Sequence, residues 1–250
     1  MNRIVVSILT VVLYMTALFS PNLALNIGWI DAQTATEQLR QVTYIQVVAF
    51  VTAAILILAM QPLIKNPYRF ETEPKEQKRY IVVWILVGLV IVFIAQIITN
   101  LLSTYFLGVN PASENTLRIM RIARQMPILI VLIAIVGPLL EEFVFRKVLF
   151  GGIYNALKTH KAVKFAIATT VSSAIFAVAH MDLTHFAVYF VMGVIFSAFY
   201  IYTKRLSIAI GIHMTQNALV ALIQFSIPED VMRKAIEQAQ LIYYVMIQYM

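Results

Sequence analysis

The stretch IVGPLLEEFVFRKVLF, residues 135–150, sets Glu141 and Glu142 side by side in an apolar run, with Arg146 one helical turn further on. Two adjacent carboxylates in a membrane-type segment cost several kcal/mol to insert unless something uses them. Two further apolar segments each carry a histidine, in FAVAH (176–180) and HMTQN (213–217). Ionisable groups this sparse and this well matched chemically point to a catalytic site inside a membrane.

Composition agrees. The chain is 250 residues long, 61% hydrophobic and 12% charged, with a mean hydropathy of +0.83. A soluble domain averages about 45–50% apolar and about 25% charged residues, so this is an integral membrane protein, expected in the cell membrane. With no cysteine, disulfides, thiolate chemistry and zinc–thiolate sites are excluded. The net charge of +7 would suggest nucleic acid in a soluble protein. Here Lys and Arg cluster in short loops, where positive charge holds them on the cytoplasmic side, and no nucleic-acid partner is expected.

Spanning helices need about 20 mainly apolar residues. Val5–Leu25 is the first, expected to stay as an anchor because no clean small-x-small cleavage site precedes Pro21. Val42–Ile64 and Tyr80–Leu107 follow. Pro127–Val136 is short, and Pro138 should kink or restart the helix carrying the glutamates, expected over Leu139–Leu157. Val163–His180, Phe186–Tyr202 and Leu206–Phe225 come next, and Val231–Met250 reads as a last span or an interfacial helix. The expectation is an all-α fold, a polytopic bundle of seven or eight transmembrane helices. With no internal repeat, it is one membrane domain over residues 1–250.

Sidedness follows from the loops. The linker 65–79 carries Lys65, Arg69, Lys75, Lys78 and Arg79, whereas 26–41 carries only Arg40. The first of these should face the cytoplasm with the N-terminus, joined by Lys158, Lys161, Lys164, Lys204 and Arg205. Arg118, Arg121 and Arg124 fall where an outer loop is expected, and their spacing suggests one face of an interfacial helix.

On a helix Glu142 and Arg146 are an i, i+4 pair, and Glu141 is rotated about 100° away. Arg146 should therefore neutralise Glu142 and leave Glu141 free for substrate or water. His213 and Asn217 share one face, as do Phe176 and His180. Glutamate, two histidines and an amide suit activation of water and stabilisation of an oxyanion. His185, beside Asp182 in a turn, and His160, among lysines, read as surface residues.

E-E-x-x-x-R (Glu141, Glu142, Arg146), F-x-x-x-H (Phe176, His180) and H-x-x-x-N (His213, Asn217) occur in this order on successive apolar segments. In this the chain resembles the CAAX-protease and bacteriocin-processing (CPBP, or ABI) family of intramembrane proteases, over about residues 126–225. The resemblance implies hydrolysis of a membrane-associated peptide or protein, with the bilayer and that substrate as partners. Glu141 and His180 would activate water, His213 and Asn217 would form the oxyanion site, and Glu142 with Arg146 would support them. It implies no cofactor, although zinc at His180, His213 and a glutamate is chemically conceivable; no H-E-x-x-H arrangement is present, and an amide suits an oxyanion better than zinc.

One tension stands. His180 follows Lys164 by sixteen residues and His213 follows Arg205 by eight, a depth difference of roughly 12 Å if both cations lie at one surface. Two other functions compete. A proton-coupled transporter would favour broken helices in two related halves, but only one half carries the polar groups. A catalytically silent scaffold or regulator would have no need of the complete set of acids, histidines and asparagine. Substrate identity is not legible in the sequence.

Overall fold

A computed structural model describes residues 1–228 together with 230, 231 and 234; the expected tail helix 231–250 lies almost wholly outside the described residues. All regular structure among those residues is helical. We number the helices α1 (Arg3–Asn26), α2 (Ala35–Met60), α3 (Ile81–Leu107), α4 (Glu114–Gln125), α5 (129–156), α6 (Lys161–Ala179), α7 (Phe186–Thr203) and α8 (Leu206–Ser226). Six are long and apolar enough to cross a membrane: α1, α2, α3, α6, α7 and α8. Among the described residues these six are joined by α5, whose charges and broken winding set it apart, as a polytopic helical bundle requires; the last expected span falls on the tail outside them.

Local chemistry sets the ends. Thr34 caps α2 by accepting the Glu37 N–H, so this helix begins seven residues before its apolar run. Gly108, at φ 66°, closes α3 in the left-handed conformation with its N–H turned back to Ser103 and Thr104. Ser113 caps α4.

The expected short helix and the glutamate helix are one continuous path. α5 is α-wound at Leu129–Val131, Gly137–Glu141 and Gly151–Ala156, and π-wound at Leu132–Val136 and Glu142–Phe150. It runs through the bundle: α1 and α2 pair with each other and touch it, as do α6, α7 and α8, while α3 lies on α7 and α8. Close approach there uses small residues. A Cβ on Gly88 would stand 2.2 Å from Ile212 Cδ1, and one on Gly211 2.3 Å from Ile85 Cδ1, so glycine lets α3 and α8 interlock. The other face of α3 exposes Leu86, Val90, Ile94, Ile97 and Leu101, as suits hydrocarbon.

Basic residues gather at one end, as the loop reading requires. The Met1 amino group meets the Leu63 carbonyl, and Arg3 donates to the carbonyls of Asn66 and Pro67. Glu71 receives Lys147 at 3.2 Å and the Tyr200 hydroxyl at 2.6 Å. Lys204 pairs with Glu73, and Arg205 donates to the Glu76 carbonyl. At the opposite end lies α4, with Met120 and Ala123 buried and Arg118 and Arg121 exposed. Its Arg124 reaches the carbonyls of Gln224 and Ile227.

Candidate active site

Pro138 has no N–H and its ring crowds the carbonyl four residues back, so a regular α-turn cannot run through it. The chain instead winds as π just before it, and the Gly137 N–H bonds the Leu132 carbonyl, five residues back. Glycine suits this point, since a Cβ on Gly137 would lie 3.0 Å from the Leu132 oxygen and 3.9 Å from Glu141 Oε1. The glutamates follow within one turn.

Glu142 and Arg146 have fully buried side chains, with Nε 3.2 Å from Oε2. The contact is close but poorly aligned, and the guanidinium makes no hydrogen bond to the described residues. Its surroundings are aromatic: its Cζ lies 4.1 Å over the Phe176 ring and 5.0 Å from that of Phe196. A desolvated cation on aromatic faces gains about 2 kcal/mol, which helps hold Arg146 inside the bundle.

The other Glu142 oxygen, Oε1, lies 2.9 Å from His213 Nδ1. A carboxylate accepts, so Nδ1 carries the proton and Nε2 is left for chemistry. Nε2 lies 3.8 Å from Glu141 Oε2, and the Glu141 side chain is 22% exposed against 0% for Glu142. The two acids therefore occupy different environments: Glu142 bridges Arg146 and His213, while Glu141 makes no hydrogen bond to protein among the described residues and reaches the edge of the site. Phe196 stacks on the His213 ring at 4.8 Å.

His180 is half-buried at the end of α6. Its Nδ1 lies 2.7 Å from the Phe176 carbonyl; a carbonyl only accepts, so here too Nδ1 is the donor and Nε2 is left over. The ring stacks on Tyr189 at 4.0 Å and meets the edge of Phe176 at 4.5 Å. Phe176 also touches His213, at 5.9 Å. His180 leans back towards the start of its helix, so the Phe176 ring packs against both histidines. His180 makes no hydrogen bond to either glutamate.

Asn217 does not share a hydrogen-bond partner with His213: its Nδ2 donates to the Ile133 carbonyl at 3.1 Å. His160 is exposed as expected, but His185 is not a surface residue. Both it and Asp182 are buried, because α4 docks over the turn. Asp182 accepts from Ser113 at 2.7 Å and Thr184 at 2.7 Å, and lies 3.2 Å from His185 Nδ1. Burial opposes its ionisation, yet the hydrogen bonds from Thr184, Ser113 and His185 outweigh this and hold the carboxyl below the usual carboxylate range. Ser113 also meets the Tyr189 hydroxyl at 3.1 Å, linking this cluster to the ring behind His180. Tyr189 and Phe196 escaped the sequence reading, since nothing separates them from other aromatics in apolar runs.

Among the described residues no three His, Asp or Glu side chains gather in an arrangement able to hold a metal ion. Arg146 also fixes a positive charge beside Glu142, where a divalent cation would be repelled.

A family model for type II CAAX prenyl endopeptidase Rce1-like proteins matches residues 123–219, a segment holding Glu141, Glu142, Arg146, Phe176, His180, His213 and Asn217. The chain is 45% identical over 247 residues to the membrane-embedded CAAX protease MroQ of Staphylococcus aureus (strain USA300), covering 99% of this chain and 100% of that protein. It is 31% identical over 236 residues to the putative membrane peptidase YdiL of Bacillus subtilis (strain 168), covering 93% of each. No solved structure matches it.

Proposed function

This chain belongs to the Rce1-like CAAX protease family, and we propose that it is an intramembrane endopeptidase that hydrolyses a membrane-associated peptide with water activated by Glu141. One observation carries the reading. Of two adjacent carboxylates, Glu142 is engaged by Arg146 and His213, while Glu141 keeps an exposed edge 3.8 Å from His213 Nε2. An oxygen can sit off the line joining them, at hydrogen-bonding distance of about 2.8 Å from both.

The reaction then balances simply. Water attacks the peptide carbonyl carbon as Glu141 takes its proton, with His180 Nε2 as a second acceptor. The oxyanion that forms needs a donor. His213, held through Nδ1 by Glu142, supplies one from Nε2 when protonated. The C–N bond breaks as the proton on Glu141 passes to the leaving amine. No step calls on a metal ion.

The test is turnover of quenched-fluorescence peptides by the purified protein in lipid nanodiscs, using a farnesylated CAAX-type peptide and an unlipidated amphipathic leader peptide, with products identified by mass spectrometry. Cleavage of either that Glu141→Gln abolishes supports the reading. If neither is cleaved and a wild-type copy acts in cells no better than Glu141→Gln, a scaffold role replaces it.

A further inference from the structure

We propose that a groove between α1 and the end of α5 binds one anionic phospholipid, its phosphate at Arg3 and an acyl chain along the apolar walls. The cavity measures about 460 Å³, within the range of about 300–1,000 Å³ that small-molecule sites occupy. Ile4, Ile8 and Val12 form its α1 lip and are exposed on the flank of the bundle. Val148, Gly152 and Ala156 form the α5 wall. Gly152 keeps the space open, since a Cβ there would meet nothing closer than the Tyr68 hydroxyl at 3.6 Å.

The mouth is polar, which sets the groove apart from the apolar flank of an ordinary span. Arg3 donates through Nη1 to the Asn66 and Pro67 carbonyls and lies 4.4 Å over the Tyr68 ring. These contacts hold the guanidinium in place, and its Nε and Nη2 make no hydrogen bond to the described residues. Asn155 accepts the Arg69 N–H through Oδ1 at 3.3 Å, which leaves its amide N–H groups to donate. No carboxylate lines the cavity. A cation and an amide donor without an acid match a phosphodiester, which is anionic and only accepts.

Sidedness and depth agree. The mouth lies at the basic end of the bundle, the cytoplasmic end by the loop charges, and that leaflet carries the anionic lipid. Val12 lies nine residues beyond Arg3, about 13 Å deeper, so a headgroup at Arg3 sets acyl carbons against Ile8, Val12 and Val148. An extended peptide would find no partners for its backbone along Ile4, Ile8 and Val12, whereas an alkyl chain needs none.

The experiment is native mass spectrometry of the full-length protein, released from micelles holding equal amounts of phosphatidylglycerol and phosphatidylcholine with the same chains. One phosphatidylglycerol should be retained per protein, favoured over phosphatidylcholine by about fivefold, the scale of one cation at an anionic surface. Arg3→Gln should bring that ratio near one. Arg3→Lys keeps the charge without the guanidinium contacts and should hold the ratio above about threefold. Gly152→Leu fills the cavity and should remove retention of both lipids. A wild-type ratio near one would overturn the proposal and leave the groove to a peptide or to another helix. An unchanged ratio in Arg3→Gln, a ratio near one in Arg3→Lys, full retention in Gly152→Leu, or displacement of the lipid by inorganic phosphate would each overturn it as well. If Gly152→Leu does not accumulate, Val12→Trp fills the same space from the α1 lip and is judged by the same outcome. Neither Arg3 nor Gly152 belongs to the candidate active site, so the result stands whether or not the protein hydrolyses peptides.

Discussion

Glu142 Oε1 and His213 Nδ1 meet at 2.9 Å across 71 residues of chain, in the interior of the bundle. The bond engages Glu142, and on the reading proposed above it makes Glu142 the orienting acid and leaves Glu141 as the base. The predictions below follow from that division and from the groups around it.

Glu141→Gln keeps size and polarity and loses the base. Its melting should match wild type, because Glu141 makes no hydrogen bond to protein among the described residues. Turnover should fall by about 10²–10⁴-fold. Activity kept within about threefold of wild type would remove Glu141 from the role of base.

Arg146→Ala should behave as a folding defect. It leaves Glu142 charged and unpaired in a low dielectric, and breaking such a pair costs about 3–5 kcal/mol. Membrane abundance and thermal midpoint are the measurements. A normally abundant and normally melting variant without activity would instead put Arg146 in contact with substrate.

Tyr189→Leu removes the ring stacked on His180 at 4.0 Å and should lower kcat by about tenfold with little change in KM, as for loss of orientation without loss of binding. Tyr189→Phe keeps the stack and should recover most of that. Equal losses in both variants would shift the role from the ring to the hydroxyl and its bond to Ser113.

Asp182 gives a pH signature. Its folded carboxyl lies below the usual range, so its stabilisation is present above the unfolded value of about 3.9 and is lost as pH falls towards the folded value. Asp182→Asn should therefore melt lower than wild type at pH 7, and the gap should close only below about pH 4. His185, Ser113 and Thr184 surround the carboxylate. A gap unchanged down to pH 3 would mean that its charge contributes nothing.

Turnover should survive exhaustive chelation, with metal content followed by elemental analysis. Activity that disappears with chelation and returns with stoichiometric zinc would make His180, His213 and a glutamate ligands and would discard the scheme above.

Much was legible before any coordinates. Hydropathy summed over a helix length marks the apolar spans, because the bilayer solvates each residue of a span in much the same way. The clustering of Lys and Arg picked out the loops that gather at one end. The Glu142–Arg146 pair was readable because i, i+4 is a contact within one helix and needs no partner. The same spacing placed His213 and Asn217 on one face, but it could not say that the amide would meet the Ile133 carbonyl. That outcome depends on a π winding forced by Pro138 and on α8 lying alongside it. His185 was misread as a surface residue for a similar reason, since its burial comes from α4, far away in sequence. Helix periodicity and hydropathy are local sums over a few turns. Which helix faces which, and where one extra residue slips into a turn, is decided by packing between distant segments, and only the tertiary structure carries that.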